Sequence, residues 1–148
     1  MDALGRAAGE RMNTGGGAPL GPTELEATTP WVRRWLRAEG LAAFAAALAA
    51  WVGLGADWWW FGLLLLTPDV SMIGYVAGPH AGAVTHNVVH NWATAIVVGA
   101  LGVGLQAPGL VFGALILIGH VGVDRLMGYG LKYPTAFADT HLGRIGRR

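Results

Sequence analysis

The chain has 148 residues, enough for one domain by the usual length prior. Hydrophobic residues make up 53% of it and charged residues only 13%, where an average soluble domain carries roughly 25% charged residues. That balance, with a net charge of +1 and no cysteine, excludes a disordered protein, a basic nucleic-acid-binding domain, an ordinary soluble enzyme and a disulfide scaffold.

Residues 1–30 hold Gly15-Gly16-Gly17, Pro19, Pro22 and Pro30 among scattered charges, with no apolar period. They read as a disordered leader, lacking the charged start and apolar run of a signal peptide. Residues 31–131 then form the membrane domain. Gly55-Ala56-Asp57, Gly78-Pro79-His80 and Gln106-Ala107-Pro108 divide it into apolar runs, predicting helices over about 36–54, 58–77, 81–105 and 109–129. A bilayer core needs about 20 residues per helix, whereas barrel strands would be half as long and alternate in polarity. The expected fold is therefore all-α, an integral membrane four-helix bundle. Residues 132–148 follow as a basic cytoplasmic tail.

Arg33, Arg34 and Arg37 precede the first run, and Lys132, Arg144, Arg147 and Arg148 follow the fourth. The turns near Asp57 and Gln106 have no Lys or Arg. The positive-inside rule places both termini of a multi-pass cell-membrane protein in the cytoplasm. Trp31, Trp35, Trp51 and Trp58-Trp59-Trp60 sit at run ends, as an interfacial aromatic belt would. Small residues such as Ala42, Ala46 and Ala50, or Gly109 and Gly113, let helices approach closely.

Ionisable residues inside the runs carry the functional argument, because each is costly in lipid and normally faces the bundle interior. Asp69 follows Pro68 in the second run; His86 and His90 are four apart in the third; His120 and Asp124 are four apart in the fourth; Glu39 lies early in the first. Counting from the cytoplasmic ends at about 1.5 Å per residue puts Asp69, His90 and His120 roughly 14 Å deep. The same count puts His86 and Asp124 roughly 8 Å deep and Glu39 roughly 5 Å deep. Imidazoles and carboxylates from three helices thus converge on one layer of the cytoplasmic half.

Histidines with two carboxylates form a ligand set for a divalent first-row metal, zinc being a natural candidate. The candidate ligands are Asp69, His90, His120 and Asp124, with His86 in reserve; Glu39 is the candidate base, and Arg125 and Lys132 are further candidate catalytic residues. The stretch after the fourth run reads as a basic flank or as a lid over the inner mouth of the site, with Lys132 or Arg144 binding a headgroup phosphate. Three readings stand. The first is a metal-dependent hydrolase acting on a lipid-like substrate at the inner leaflet. The second is a non-catalytic membrane subunit with a buried His/Asp network. The third is a small proton-coupled carrier, which would need a homo-oligomer to enclose a path. The bilayer is the expected partner in all three, and nucleic acid in none.

The stretch Pro68-Asp69-Val70-Ser71-Met72-Ile73-Gly74-Tyr75 with Ala77-Gly78-Pro79 resembles the bacterial "domain of unknown function 4260" family. So do Gly119-His120-Val121-Gly122-Val123-Asp124-Arg125-Leu126, Gly128-Tyr129-Gly130-Leu131-Lys132-Tyr133-Pro134, Phe137 and Asp139-Thr140-His141-Leu142-Gly143. The resemblance covers roughly residues 36–146 and implies a small bacterial integral membrane protein with no assigned activity. Pro68-Asp69, Thr85-His86 and His120 with Asp124 also resemble, more weakly, the membrane-bound metal-dependent hydrolases. Ser71 stands where those carry a second acid, and Gly82-Ala83-Val84 where they carry His-Arg-Gly.

Overall fold

The computed structural model describes residues 30–146. The predicted leader, residues 1–29, lies outside the described residues, as do Arg147 and Arg148. The first helix, α1, runs Pro30–Gly53, starting six residues earlier than the apolar run. Proline suits a first helical position, since its missing N–H has no intrahelical partner there anyway, and nothing from Trp31 to Arg37 breaks a helix. At its far end Trp51 Nε1 donates to Asp57 O at 2.9 Å and ties down the turn.

The second run is not one uniform helix. It comprises α2, Trp58–Leu64, and a 3-10 helix, Thr67–Ala77. Pro68 has no N–H to offer the preceding turn, so the α ladder stops and a tighter winding resumes with Asp69 N donating to Leu66 O at 3.2 Å. Gly78, at φ 110°, makes the turn that follows, a conformation closed to other residues without strain.

The third run corrects the expected single helix over 81–105. It divides into α3, Pro79–Val89, and α4, Trp92–Gly104, bent by 46°. Asn91 is the cause. Its backbone is extended, and its Oδ1 accepts from Thr94 N at 2.9 Å, capping α4. Its Nδ2 donates back to Asn87 O and Val88 O, and Thr94 Oγ1 donates to Val88 O. Breaking a helix in lipid exposes backbone groups that water cannot reach; these side chains satisfy them.

The fourth run, α5, spans Pro108–Met127 and ends on Gly128 in the left-handed conformation. Beyond it the chain does not trail as a plain tail. Lys132 pairs with Thr140, and β1, Asp139–Thr140, pairs antiparallel with β2, Gly143–Arg144. We call residues 129–146 the strap.

An aromatic chain holds the centre. Trp51 meets Phe61 and Phe112 edge-on at centroid distances of 5.5 and 4.8 Å, with Ala47 and Ile116 buried beside them. Most of the remaining apolar surface, including Leu66, Val70, Ile73, Val76, Val103 and Leu105, is exposed. Pro30–Gly53, Trp58–Ala77 and Pro108–Met127 are each long and apolar enough to cross a membrane, and the bent pair α3–α4 is a candidate fourth span. Helical segments so apolar and so little covered have the build of a membrane protein.

Helix α1 crosses α5 where neither has a side chain. A Cβ on Gly122 would lie 2.7 Å from Gly40 O and 2.9 Å from Phe44 N, both backbone atoms. Gly122→Val should therefore destabilise the fold by about 1–3 kcal/mol, as overpacked sites do. A thermal melt in detergent should show a lowered Tm. Gly113→Ala, which meets nothing within 4 Å, should leave it unchanged.

Candidate metal centre

The site begins with the break at Pro68. Switching from α to 3-10 winding releases the carbonyls of Leu64 and Leu65 from the ladder. Thr67 Oγ1 donates to Leu64 O at 2.7 Å. Leu65 O accepts from His120 Nδ1 on α5, also at 2.7 Å. A carbonyl oxygen can only accept, so Nδ1 carries the proton and Nε2 of His120 is left with a bare lone pair.

The same logic holds twice more, at the C-terminal end of α3. His90 Nδ1 donates to His86 O at 2.9 Å, and its Nε2 meets Asp69 Oδ1 at 3.3 Å. His86 Nδ1 lies 3.3 Å from Asn87 Oδ1. Backbone groups fix which way the Asn87 amide points: its Oδ1 accepts from Lys132 N at 2.7 Å and its Nδ2 donates to Lys132 O at 2.9 Å. His86 Nδ1 must therefore be a donor too. The rings of His86 and His90 stack at 3.8 Å with 9° between planes, and His120 meets His90 edge-on at 4.7 Å.

Two carboxylates face these imidazoles. Asp69 Oδ1 lies 3.3 Å from His90 Nε2 and 3.4 Å from His120 Nε2, and Asp124 Oδ2 lies 3.8 Å from His120 Nε2. Asp69, His90 and His120 offer ligand atoms all within 4.8 Å of one another, and so do His86, His90 and Asp124. His90 belongs to both groups. These residues could bind a metal ion.

The distances bear on which bond is being made. A charge-assisted hydrogen bond would draw N and O to about 2.7–2.9 Å. Ligands on a tetrahedral ion with bonds of about 2.0–2.2 Å stand about 3.3–3.6 Å apart. The two Asp69 contacts, at 3.3 and 3.4 Å, suit the second range, and the one to His90 is a hydrogen bond in the metal-free cluster. The imidazole of each ligand held by a carbonyl through its other nitrogen is also the usual support of a metal site. His120 Nε2 is buried with no hydrogen-bond partner among the described residues. All three histidines are buried, whereas the Asp69 side chain is 38% exposed and gives the cluster its open edge.

Asp69, His86, His90, His120 and Asp124 are thus brought together, and the sequence's choice between His86 and His90 resolves into both. Glu39 is not brought in: it is exposed on α1 and makes no hydrogen bond or ion pair among the described residues. Arg125 turns the other way, Nη1 donating to Tyr129 O at 2.7 Å beyond the end of α5. Lys132 is buried, its Nζ donating to Phe137 O at 2.8 Å and lying 4.0 Å above that ring. Burial pushes its pKa down, and the carboxylates of Asp124 and Asp69 pull it back up. Asn87 is the residue whose role the sequence does not announce. It joins a candidate ligand, His86, to the strap at Lys132.

Asn87→Leu keeps the volume and removes both strap bonds, leaving a buried N–H and C=O unpaired at about 1–3 kcal/mol each. Hydrogen exchange should rise at residues 131–141 while the helices stay protected. The strap should also respond to pH. His141 Nδ1 accepts from Leu131 N at 2.8 Å, and burial, together with the Arg125 guanidinium, holds its pKa below the ordinary 6.5. The neutral ring therefore contributes stability that is whole above pH 6.5 and is lost as pH falls towards the lowered value. Exchange at Leu131 should quicken across that window in the native protein, and His141→Ala should abolish the pH response.

Comparison with known proteins gives one family. No curated protein and no solved structure matches the chain, and the likeness to the membrane-bound metal-dependent hydrolases is not shown. The family model described as a domain of unknown function (DUF4260) matches residues 33–145, a stretch that holds every residue of the cluster. The chain belongs to the DUF4260 family.

Proposed function

We propose that this chain is a four-span protein of the bacterial inner membrane, with both termini in the cytoplasm, and that its His/Asp cluster holds one divalent first-row metal. Asp69, His90 and His120 are the primary ligands; Asp124 and His86 complete or support the set. One observation carries the reading: ligand atoms of Asp69, His90 and His120, and of His86, His90 and Asp124, lie within 4.8 Å of one another, with His90 and His120 held through Nδ1 so that Nε2 faces Asp69. A divalent cation between them would also partner His120 Nε2, which is buried without a hydrogen bond among the described residues. The C-terminal end of α3, where His86 and His90 sit, adds its own preference for positive charge.

The activity that suits such a centre is metal-dependent hydrolysis at the inner leaflet. A metal so held would lower the pKa of bound water towards neutrality. The chain's part is to orient the ligands through Leu65 O, His86 O and Asn87, and to leave an approach beside Asp69. Asp124, outside the primary set, would be the proton acceptor; Glu39 is exposed on α1 and belongs to neither ligand group. The break at His90–Asn91 favours a second reading, a carrier, because unwound helices at ion sites mark many transporters.

Metal content decides first. Untagged protein purified in detergent should carry about one equivalent of zinc or manganese by mass spectrometry, and His120→Ala should lose it while remaining helical. Asn87→Leu should weaken metal affinity about 10–100-fold, as loss of a supporting bond does elsewhere. A folded wild type that takes up no metal, even on loading, would overturn the proposal. Metal-dependent ester cleavage would favour the hydrolase, and proton-coupled flux in liposomes the carrier.

A further inference from the structure

Lys132 is the buried charge that the metal site does not use. It is 5% exposed, its backbone is clamped on both sides by Asn87, and its ammonium has three protons to donate. One goes to Phe137 O; no other acceptor is engaged among the described residues. With a divalent cation in the cluster, Asp69 and Asp124 balance the metal and Lys132 leaves one positive charge over. The Phe137 carbonyl and ring are its partners among the described residues, neither carries a charge, and a buried ammonium suits an anionic ligand.

The approach to the cluster shows where that anion comes from. Asp69, its exposed ligand, is flanked in sequence by Leu66, Val70 and Ile73, which are 68%, 69% and 73% exposed. The two residues before Asp69, Thr67 and Pro68, line an apolar cleft of about 410 Å³ with Leu64, Phe112 and Ile116. The open edge therefore borders on hydrocarbon rather than water. We propose, resting on the metal reading above, that the centre takes the phosphate monoester headgroup of a lipid, held between the metal and Lys132 with its acyl chains against the Asp69 side. Asn87 joins the Lys132 backbone to His86, which brings the strap beside the cluster, and phosphate suits such a pair because its several oxygens can meet a metal and an ammonium together. Lys132 is then a specificity residue carried on the strap, not a metal ligand.

The test uses cobalt(II) in place of the native metal, because its visible spectrum reports both occupancy and a change of ligand. Full-length protein in detergent is loaded with cobalt, then titrated with dioleoyl phosphatidate, dioleoyl phosphatidylcholine or inorganic phosphate. The expected result is a spectral change with phosphatidate and none with phosphatidylcholine. Lys132→Met should keep the cobalt but bind phosphatidate at least about thirtyfold more weakly. Lys132→Gln, which keeps a donor without the charge, serves as the second variant should Met disturb folding, with circular dichroism and cobalt stoichiometry as the controls. A cobalt-loaded wild type blind to both phosphates overturns this inference and leaves the metal reading standing. So does equal phosphatidate binding by wild type and both variants. A response to inorganic phosphate as strong as to phosphatidate overturns the lipid assignment. Failure of the folded wild type to bind cobalt overturns both.

Discussion

A carbonyl oxygen can accept a hydrogen bond but cannot donate one, and the cluster depends on that asymmetry. Leu65 O and His86 O hold His120 and His90 by Nδ1, so the protonation pattern of both rings follows from the backbone. Asn87, oriented by its own bonds to Lys132, does the same for His86. If any of these acceptors were withdrawn, the ring could rotate or change tautomer and the Nε2 atoms would no longer converge. The carboxylates supply charge, but the backbone supplies direction.

One of these acceptors, Leu65 O, exists because a span is broken, whereas His86 O also keeps its helical bond from His90 N at 2.8 Å. Pro68 interrupts that span and releases Leu64 O and Leu65 O; Asn91 interrupts another. In water such breaks would be cheap. In lipid each freed group must find a partner within the protein, which is why Thr67, Thr94 and Asn91 all bond to nearby carbonyls. One of the freed groups, Leu65 O, is partnered by a side chain of the cluster itself. Breaking the spans and aiming His120 are in this sense one structural event.

Much of this was legible in the sequence, and the reasons for the rest are physical. Depth counting put Asp69, His90 and His120 in one layer, and their ligand atoms do lie together, although Asp69 stands on 3-10 winding with a rise of about 2.0 Å per residue and His90 at a break. Apolar runs placed the segments, since length and composition are what a bilayer selects. The break at Asn91 went unread because hydropathy averages over it, although an Asn followed by Thr94 ahead of an apolar run is the pattern of a helix cap. Glu39 was misjudged for a different reason: depth says how far along a helix a residue sits, not which way it faces. The fold of the strap, and the burial of Lys132 within it, rest on a long-range pairing with Asn87 that no local pattern encodes.

The meeting of Gly40 with Gly122 has a consequence for how the protein is made. Their backbones approach so closely that no side chain fits between them. Yet Gly122 is synthesised 82 residues after Gly40, beyond all the intervening spans. On the membrane reading proposed above, the first helix enters the bilayer before the surface it will cross exists. Its final seat is set only when the last span arrives, and the cluster, which needs α5 for His120 and Asp124, is completed in that same late step.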